Sequence, residues 1–282
     1  MTRLELLAPA KLNLFLHITG RRADGYHELQ TVFQLLDYGD SVEIAEAAEL
    51  ILDCPGLDLP AEQNLAMRAA RRLQALADSP RGAAIRIHKR IPAGGGLGGG
   101  SSNAATVLLG LNRLWQLDLG ADELAAIGLE LGADVPLFVR GHSAWAEGVG
   151  EQLSPLELPP RHYLVVAPDC TVTTAEVFSH RELTRNTAPI TIATFFAGGG
   201  QNDCENVVRR LHPEVDKALN WLEKFAPARL TGTGACVFSS FDSSAQARAV
   251  QERLPAGWNS FIAAGLDRSP TLETLEGADR GQ

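Results

Sequence analysis

Residues 92–105 read Pro-Ala-Gly-Gly-Gly-Leu-Gly-Gly-Gly-Ser-Ser-Asn-Ala-Ala, which places six of the chain's 27 glycines inside seven positions. The flanks are well patterned. Ala84–His88 alternates apolar and polar residues, predicting a half-buried strand. Ala104, Val107, Leu108, Leu111, Leu114 and Trp115 recur at helical spacing, predicting a helix that begins near Ser102-Asn103. A strand, a glycine loop and a helix start together present bare backbone N–H groups and a positive dipole end to an anion. Glycine runs also make linkers, but a linker would not have a strand and a helix directly attached, and Leu97 offers an anchor to a core. The stretch is therefore read as a phosphate-binding loop.

The chain of 282 residues has room for one large domain or two ordinary ones. Its formal charge of −9 with no basic run argues against nucleic acid or an anionic membrane as partner. The opening residues hold no apolar signal core, and no run approaches the ~18 apolar residues of a membrane span, so a cytoplasmic enzyme is expected. Cys54, Cys170, Cys204 and Cys236 are too scattered for a zinc site and are expected to be reduced, mostly buried thiols.

Residues 4–19 alternate as strand, with Leu12, Leu14, Leu16 and Ile18 on one face and Lys11, Asn13, Phe15 and His17 on the other. For Lys11 and Asn13 the residues alone favour a solvated outer face. A polar loop carrying Tyr26 and His27 precedes a strand from Thr31 to Leu36, and Asp37-Tyr38-Gly39-Asp40 is expected to turn the chain. Asn64–Ala77 reads as an amphipathic helix with Leu65, Ala69, Leu73 and Leu76 inward. Asp134, two residues before Pro136, fits a helix N-cap and a catalytic acid equally, and one residue can serve both. Residues 155–160 are the best linker candidate, Arg229–Phe238 reads as a strand broken by small residues, and 271–282 as a loose tail. Strands alternating with helices, with antiparallel hairpin candidates, give α+β for both halves.

Three known glycine motifs fail against Gly94–Ser102. A P-loop needs lysine where Ser101 stands, the dinucleotide fingerprint is met only because the run is glycine-rich, and a nucleophile elbow needs glycine at Asn103. The run does resemble the nucleotide loop of the GHMP kinases. Pro9-Ala10-Lys11-Leu12-Asn13-Leu14 is similar to that superfamily's first motif and Leu230-Thr231-Gly232-Thr233-Gly234-Ala235-Cys236 to its third. Gly25-Tyr26-His27 and Gly132-Ala133-Asp134-Val135-Pro136 extend the resemblance to the branch that acts on a cytidine diphosphate ester of methylerythritol in the non-mevalonate route to isoprenoids.

The resemblance implies a two-domain fold: a nucleotide-binding half of the ribosomal protein S5 domain 2-like type over 1–154, and a ferredoxin-like half over 155–270. It implies ATP as donor, Mg²⁺, a small-molecule substrate, and transfer to the 2-hydroxyl. Lys11 and Asp134 match the catalytic pair, with Asp134 as base. Pro92, Ala93, Gly94, Gly95, Gly96, Leu97, Gly98, Gly99, Gly100, Ser101, Ser102 and Asn103 would hold ATP, helped by Asn64, Leu65 and Lys89, with Ser102 also on the metal. Asn13, His27, Phe33, Thr174, Gly232 and Gly234 would meet the substrate, and Tyr26 and Phe178 would sandwich its cytosine. Another GHMP kinase acting on homoserine or mevalonate, a nucleotide sensor without chemistry, and a dinucleotide-dependent oxidoreductase are the rival readings.

Overall fold

The computed structural model describes residues 3–57, 59–77 and 81–279. Two long strands, β1 (Arg3–Arg21) and β2 (His27–Ala47), form an antiparallel hairpin, followed by β3 (Leu50–Asp53), α1 (Leu65–Gln74) and β4 (Gly82–His88). The glycine loop leads into α2 (Gly99–Trp115), then α3 (Ala121–Leu131), α4 (Val135–Arg140), β5 (Ala144–Glu147) and β6 (Gln152–Pro155). The second half contains β7 (His162–Ala167), α5 (Thr174–Ser179), α6 (Ile192–Phe196), α7 (Glu205–Leu211) and α8 (Pro213–Leu222). It continues with β8 (Ala228–Leu230), β9 (Val237–Phe241), α9 (Ser244–Gln251), β10 (Asn259–Leu266) and α10 (Pro270–Asp279). One sheet runs β3-β4-β2-β10-β7-β9-β8, with β1 and β5 also on β2 and β6 on β5. The α+β class expected from the sequence is thus met.

Each half has a core. Helices α1–α4 cover the first half of the sheet through Ala70, Leu73, Val107, Leu111 and Phe138. Helices α7–α9 cover the second through Val208, Leu219 and Ala247. A third cluster with Ala10, Leu12, Leu36, Leu97 and Val165 joins them. The chain ends cross between the halves, since Leu16 and Ile18 belong to the second core and Leu275 packs against the first.

Several sequence expectations are corrected. Residues 37–40 do not turn: β2 runs straight through them, because Asp40 is buried and its carboxylate takes the N–H groups of Arg90 (2.7 Å) and Ile91 (2.8 Å). Gly39 is needed there because a Cβ would lie 2.2 Å from the Ala8 carbonyl oxygen. Helix α2 starts at Gly99, three residues before Ser102. Helix α1 stops at Gln74 and leaves Leu76 exposed; Ala66, Met67, Ala69, Ala70 and Leu73 form its buried side. Residues 229–238 are a hairpin rather than one strand, with 231–236 as its loop. The tail is helical to Asp279, its Thr271 hydroxyl donating to the Leu7 carbonyl at 2.6 Å; residues 280–282 lie outside the described residues. Among the thiols, Cys204 and Cys236 are buried while Cys54 and Cys170 are half-buried.

Candidate active site

The outer edge of β1 has no partner strand along its middle, and the loops that build the site take its hydrogen bonds instead. Lys11 N–H donates to the Leu97 carbonyl (3.0 Å), Asn13 N–H to the Thr231 hydroxyl (3.0 Å), and Leu16 N–H to the Gln201 carbonyl (2.9 Å). Backbone bulges at Pro9/Lys11 and Asn13/Leu16 release these groups from the β2 ladder. Lys11 and Asn13 are only 3% exposed, so the solvated outer face favoured by the residues alone is replaced by a buried one. A buried ammonium needs partners. The Lys11 Nζ has the Asn13 Oδ1 at 2.6 Å, the Asp134 Oδ2 at 3.3 Å and the Phe33 ring centroid at 5.2 Å. Asn13 Nδ2 in turn donates to Thr31 Oγ1 at 3.0 Å.

Asp134 stands at the N-cap position of α4, with Pro136 in the first turn, yet its side chain makes no capping hydrogen bond. Of the two roles open in the sequence, the carboxylate takes the one that faces Lys11.

Gly94, Gly96 and Gly98 alternate in the left-handed region, with φ of +67°, +74° and +73°. The third motif braces this loop: Ala235 and Cys236 donate N–H to the carbonyls of Gly94 and Gly95, both at 3.2 Å. A Cβ on Gly96 would sit 2.2 Å from the Thr231 carbonyl oxygen, so the approach itself requires glycine. Helix α2 then opens with no side-chain cap, and Ser102 N–H is the one that returns to Gly98, at 2.8 Å. The preceding amides of Gly99, Gly100 and Ser101 remain for an anion.

Two cavities meet at this loop. One, of about 360 Å³, is lined by Leu57, Leu59, Asn64, Leu65, Lys89 and residues 92–101 with Asn103. The other, of about 320 Å³, is lined by Lys11, Asn13, Thr31, Phe33, Asp134, Thr174, Phe178, Gly232 and Thr233, among others. Gly96, Gly98 and Ser101 belong to both walls. Lys89 Nζ is paired with the buried Asp40 carboxylate, which fixes a cation beside the start of α2. Asn64 spends its side chain capping α1, accepting from Ala66 N–H at 3.0 Å. Another cavity of about 340 Å³, among Leu14, Phe195, Phe196 and Arg229, holds none of the expected residues.

Four expected residues fall elsewhere. Tyr26 is 64% exposed and lines a neighbouring groove with Arg22, Glu130 and Glu151, because the tight turn at Asp24-Gly25 aims its ring outward. The ring beside Phe178 is that of His27, with centroids 4.9 Å apart. Gly234 faces Leu230 and Val208 in the second core rather than the cavity. Ser102 lines neither cavity; its hydroxyl is buried with no hydrogen-bond partner, while Ser101 reaches both. No cluster of three or more His, Cys, Asp or Glu that could hold a metal exists among the described residues. The protein side chains therefore do not fit a resident magnesium ion. Sequence reasoning missed Thr31, Asp40 and Arg185. Thr31 and Asp40 look like ordinary strand positions, and Arg185 lies in a stretch without periodicity. Thr231 and Thr233, by contrast, sit inside the quoted third motif.

The sequence matches the GHMP kinases N terminal domain over residues 64–142 and the GHMP kinases C terminal domain over 189–260. Those matches and the loop at the start of α2 define an ATP-dependent small-molecule kinase of the GHMP class. A solved mevalonate kinase from Methanococcus jannaschii shares the fold at 17% identity, with a TM-score of 0.67 over 94% of this chain and 98% of that one. The chain is 57% identical to 4-diphosphocytidyl-2-C-methyl-D-erythritol kinase from Alkalilimnicola ehrlichii, over 96% of this chain and 94% of that protein. It is 53% identical to the like-named kinase of Marinobacter nauticus, over 98% of each chain. A crystal structure of 4-(cytidine 5'-diphospho)-2C-methyl-D-erythritol kinase is 35% identical with a TM-score of 0.81, over 93% of this chain and 99% of that one. The chain belongs to the 4-diphosphocytidyl-2-C-methyl-D-erythritol kinase family. No helix among the described residues is long and apolar enough to cross a membrane.

Proposed function

We propose that the chain transfers the γ-phosphoryl group of ATP to the 2-hydroxyl of 4-diphosphocytidyl-2-C-methyl-D-erythritol, in one in-line step. The observation that carries this reading is the common wall of the two cavities, Gly96, Gly98 and Ser101, with Lys11 and Asp134 on the acceptor side of it. Phosphoryl transfer asks mainly for alignment and charge neutralisation. The α2 amides and Lys89 receive the phosphates of ATP. Asp134 takes the proton of the attacking hydroxyl, the new bond forms to the γ-phosphorus, and the bridging bond to the β-phosphate breaks to release ADP. Lys11 keeps the aspartate ionised and offsets charge on the moving group. Magnesium would arrive on the nucleotide's phosphates, and no step above is routed through it.

Coupled assays of ADP release test this with the cytidine ester, homoserine and mevalonate as acceptors. The cytidine ester should dominate kcat/KM. ATP hydrolysis independent of acceptor, or a preference for either other alcohol, would overturn the reading.

A further inference from the structure

We propose that Arg185 is a positioning residue that locks the His27 imidazole as a neutral Nδ1–H donor and so makes the acceptor site choose cytosine over uracil. The inference rests on the acceptor being a cytidine ester. Arg185 Nε lies 3.1 Å from His27 Nε2, Nη1 lies 3.0 Å from the Leu183 carbonyl, and Nη2 lies 2.8 Å from the carbonyls of both Phe178 and His180. Four of the five guanidinium N–H groups are thereby used. They tie the first residue of β2 to the loop that follows α5, which places the His27 ring 4.9 Å from that of Phe178, a wall of the acceptor cavity.

A guanidinium has no acceptor and stays charged, so His27 Nε2 must be the acceptor of this bond. The proton of the neutral ring is then on Nδ1. Burial, then the charges of Arg185 and Arg21, hold His27 below the usual imidazole range, in keeping with a neutral ring. A fixed Nδ1–H donor complements the unprotonated N3 of cytosine. In uracil that nitrogen carries a proton, and two donors would oppose one another.

The test joins spectroscopy to kinetics on the full chain. Long-range ¹H–¹⁵N correlation of ¹⁵N-histidine protein should show His27 as the Nδ1–H tautomer in the wild type and as a mixture in Arg185→Ala. With the cytidine and uridine diphosphate esters of methylerythritol, Arg185→Ala should lower the cytidine preference in kcat/KM by ~10-fold or more, the price of one misdirected hydrogen bond. The loss should fall on KM for the cytidine ester, with kcat and KM for ATP within about threefold of wild type. Arg185→Lys should restore part of the preference. An Nε2–H tautomer in the wild type overturns the proposal even where the variants fail to fold. So does an unchanged base preference in Arg185→Ala, or an equal loss of kcat with both esters. A wild type that turns over neither ester removes the functional reading and the base-selection claim together, and the tautomer measurement judges the lock separately.

Discussion

Asp134 occupies a helix-start position without capping the helix, and that unused hydrogen bond is what leaves its carboxylate for Lys11. Replacing it with asparagine keeps the shape and removes the base. Asp134→Asn is expected to lower turnover by ~10² or more while ATP affinity, measured by calorimetry, stays near wild type. His17 is a second residue whose state is set by its surroundings. Its Nε2 accepts the Gln201 N–H at 3.2 Å, and burial depresses its pKa against an opposing effect of Asp203. A histidine with a depressed folded pKa binds its proton more readily when unfolded. Its contribution is therefore present above the unfolded value of about 6.5 and fades as pH falls below it. Thermal midpoints should drop between about pH 6.5 and 5 in the wild type, and His17→Gln, which keeps an acceptor, should flatten that slope. The chemistry of Lys11, Asn13 and Asp134 was legible only through motif resemblance. Periodicity gives a strand residue two faces, and on β1 both faces are buried.

At the scale of elements, the glycine loop was legible in full and its bracing was not. Alternation and spacing revealed the strand before it and the helix after it, because those depend on local pattern. The contact with residues 231–236 joins positions far apart in the chain, and only the resemblance hinted at it. Gly96→Ala puts a methyl group against the Thr231 carbonyl at a φ of +74°, and should separate the two loops. We expect loss of measurable ATP binding and a melting temperature lowered by several degrees, with circular dichroism still that of a folded protein. Asp40 shows the opposite failure of local reading: Asp-Tyr-Gly-Asp has turn composition, yet burial of the carboxylate and the close fit of Gly39 to Ala8 make it strand. Asp40→Ala leaves two buried amides and Lys89 without their shared acceptor. It is expected to cost about 3–5 kcal/mol, read by urea denaturation, and to raise KM for ATP.

For the whole molecule, the α+β class and the two halves followed from the order of elements, whereas the crossing of the chain ends did not. The polar composition of 271–282 hid a helix whose few apolar residues, Leu272 and Leu275, reach Gly141 and the first core. Deleting residues 270–282 should therefore lower the melting temperature by roughly 5 °C, as loss of about 2 kcal/mol would in a protein of this size. Strand β1 supplies residues to all four apolar clusters: Leu6 to the first, Leu16 to the second, Leu12 to the third and Phe15 to the fourth. That has a consequence for biosynthesis. Strand β1 can pair with β2 as soon as both emerge from the ribosome, but its other edge must wait for the loops around Leu97, Gln201 and Thr231. Thr271, which bonds to Leu7, follows 264 positions later, on the order of ten seconds or more at ordinary translation rates. For that interval the nascent chain carries a long, open strand edge of the kind that recruits other strands. The strand that holds the Lys11 ammonium is among the first parts made and the last to be completed.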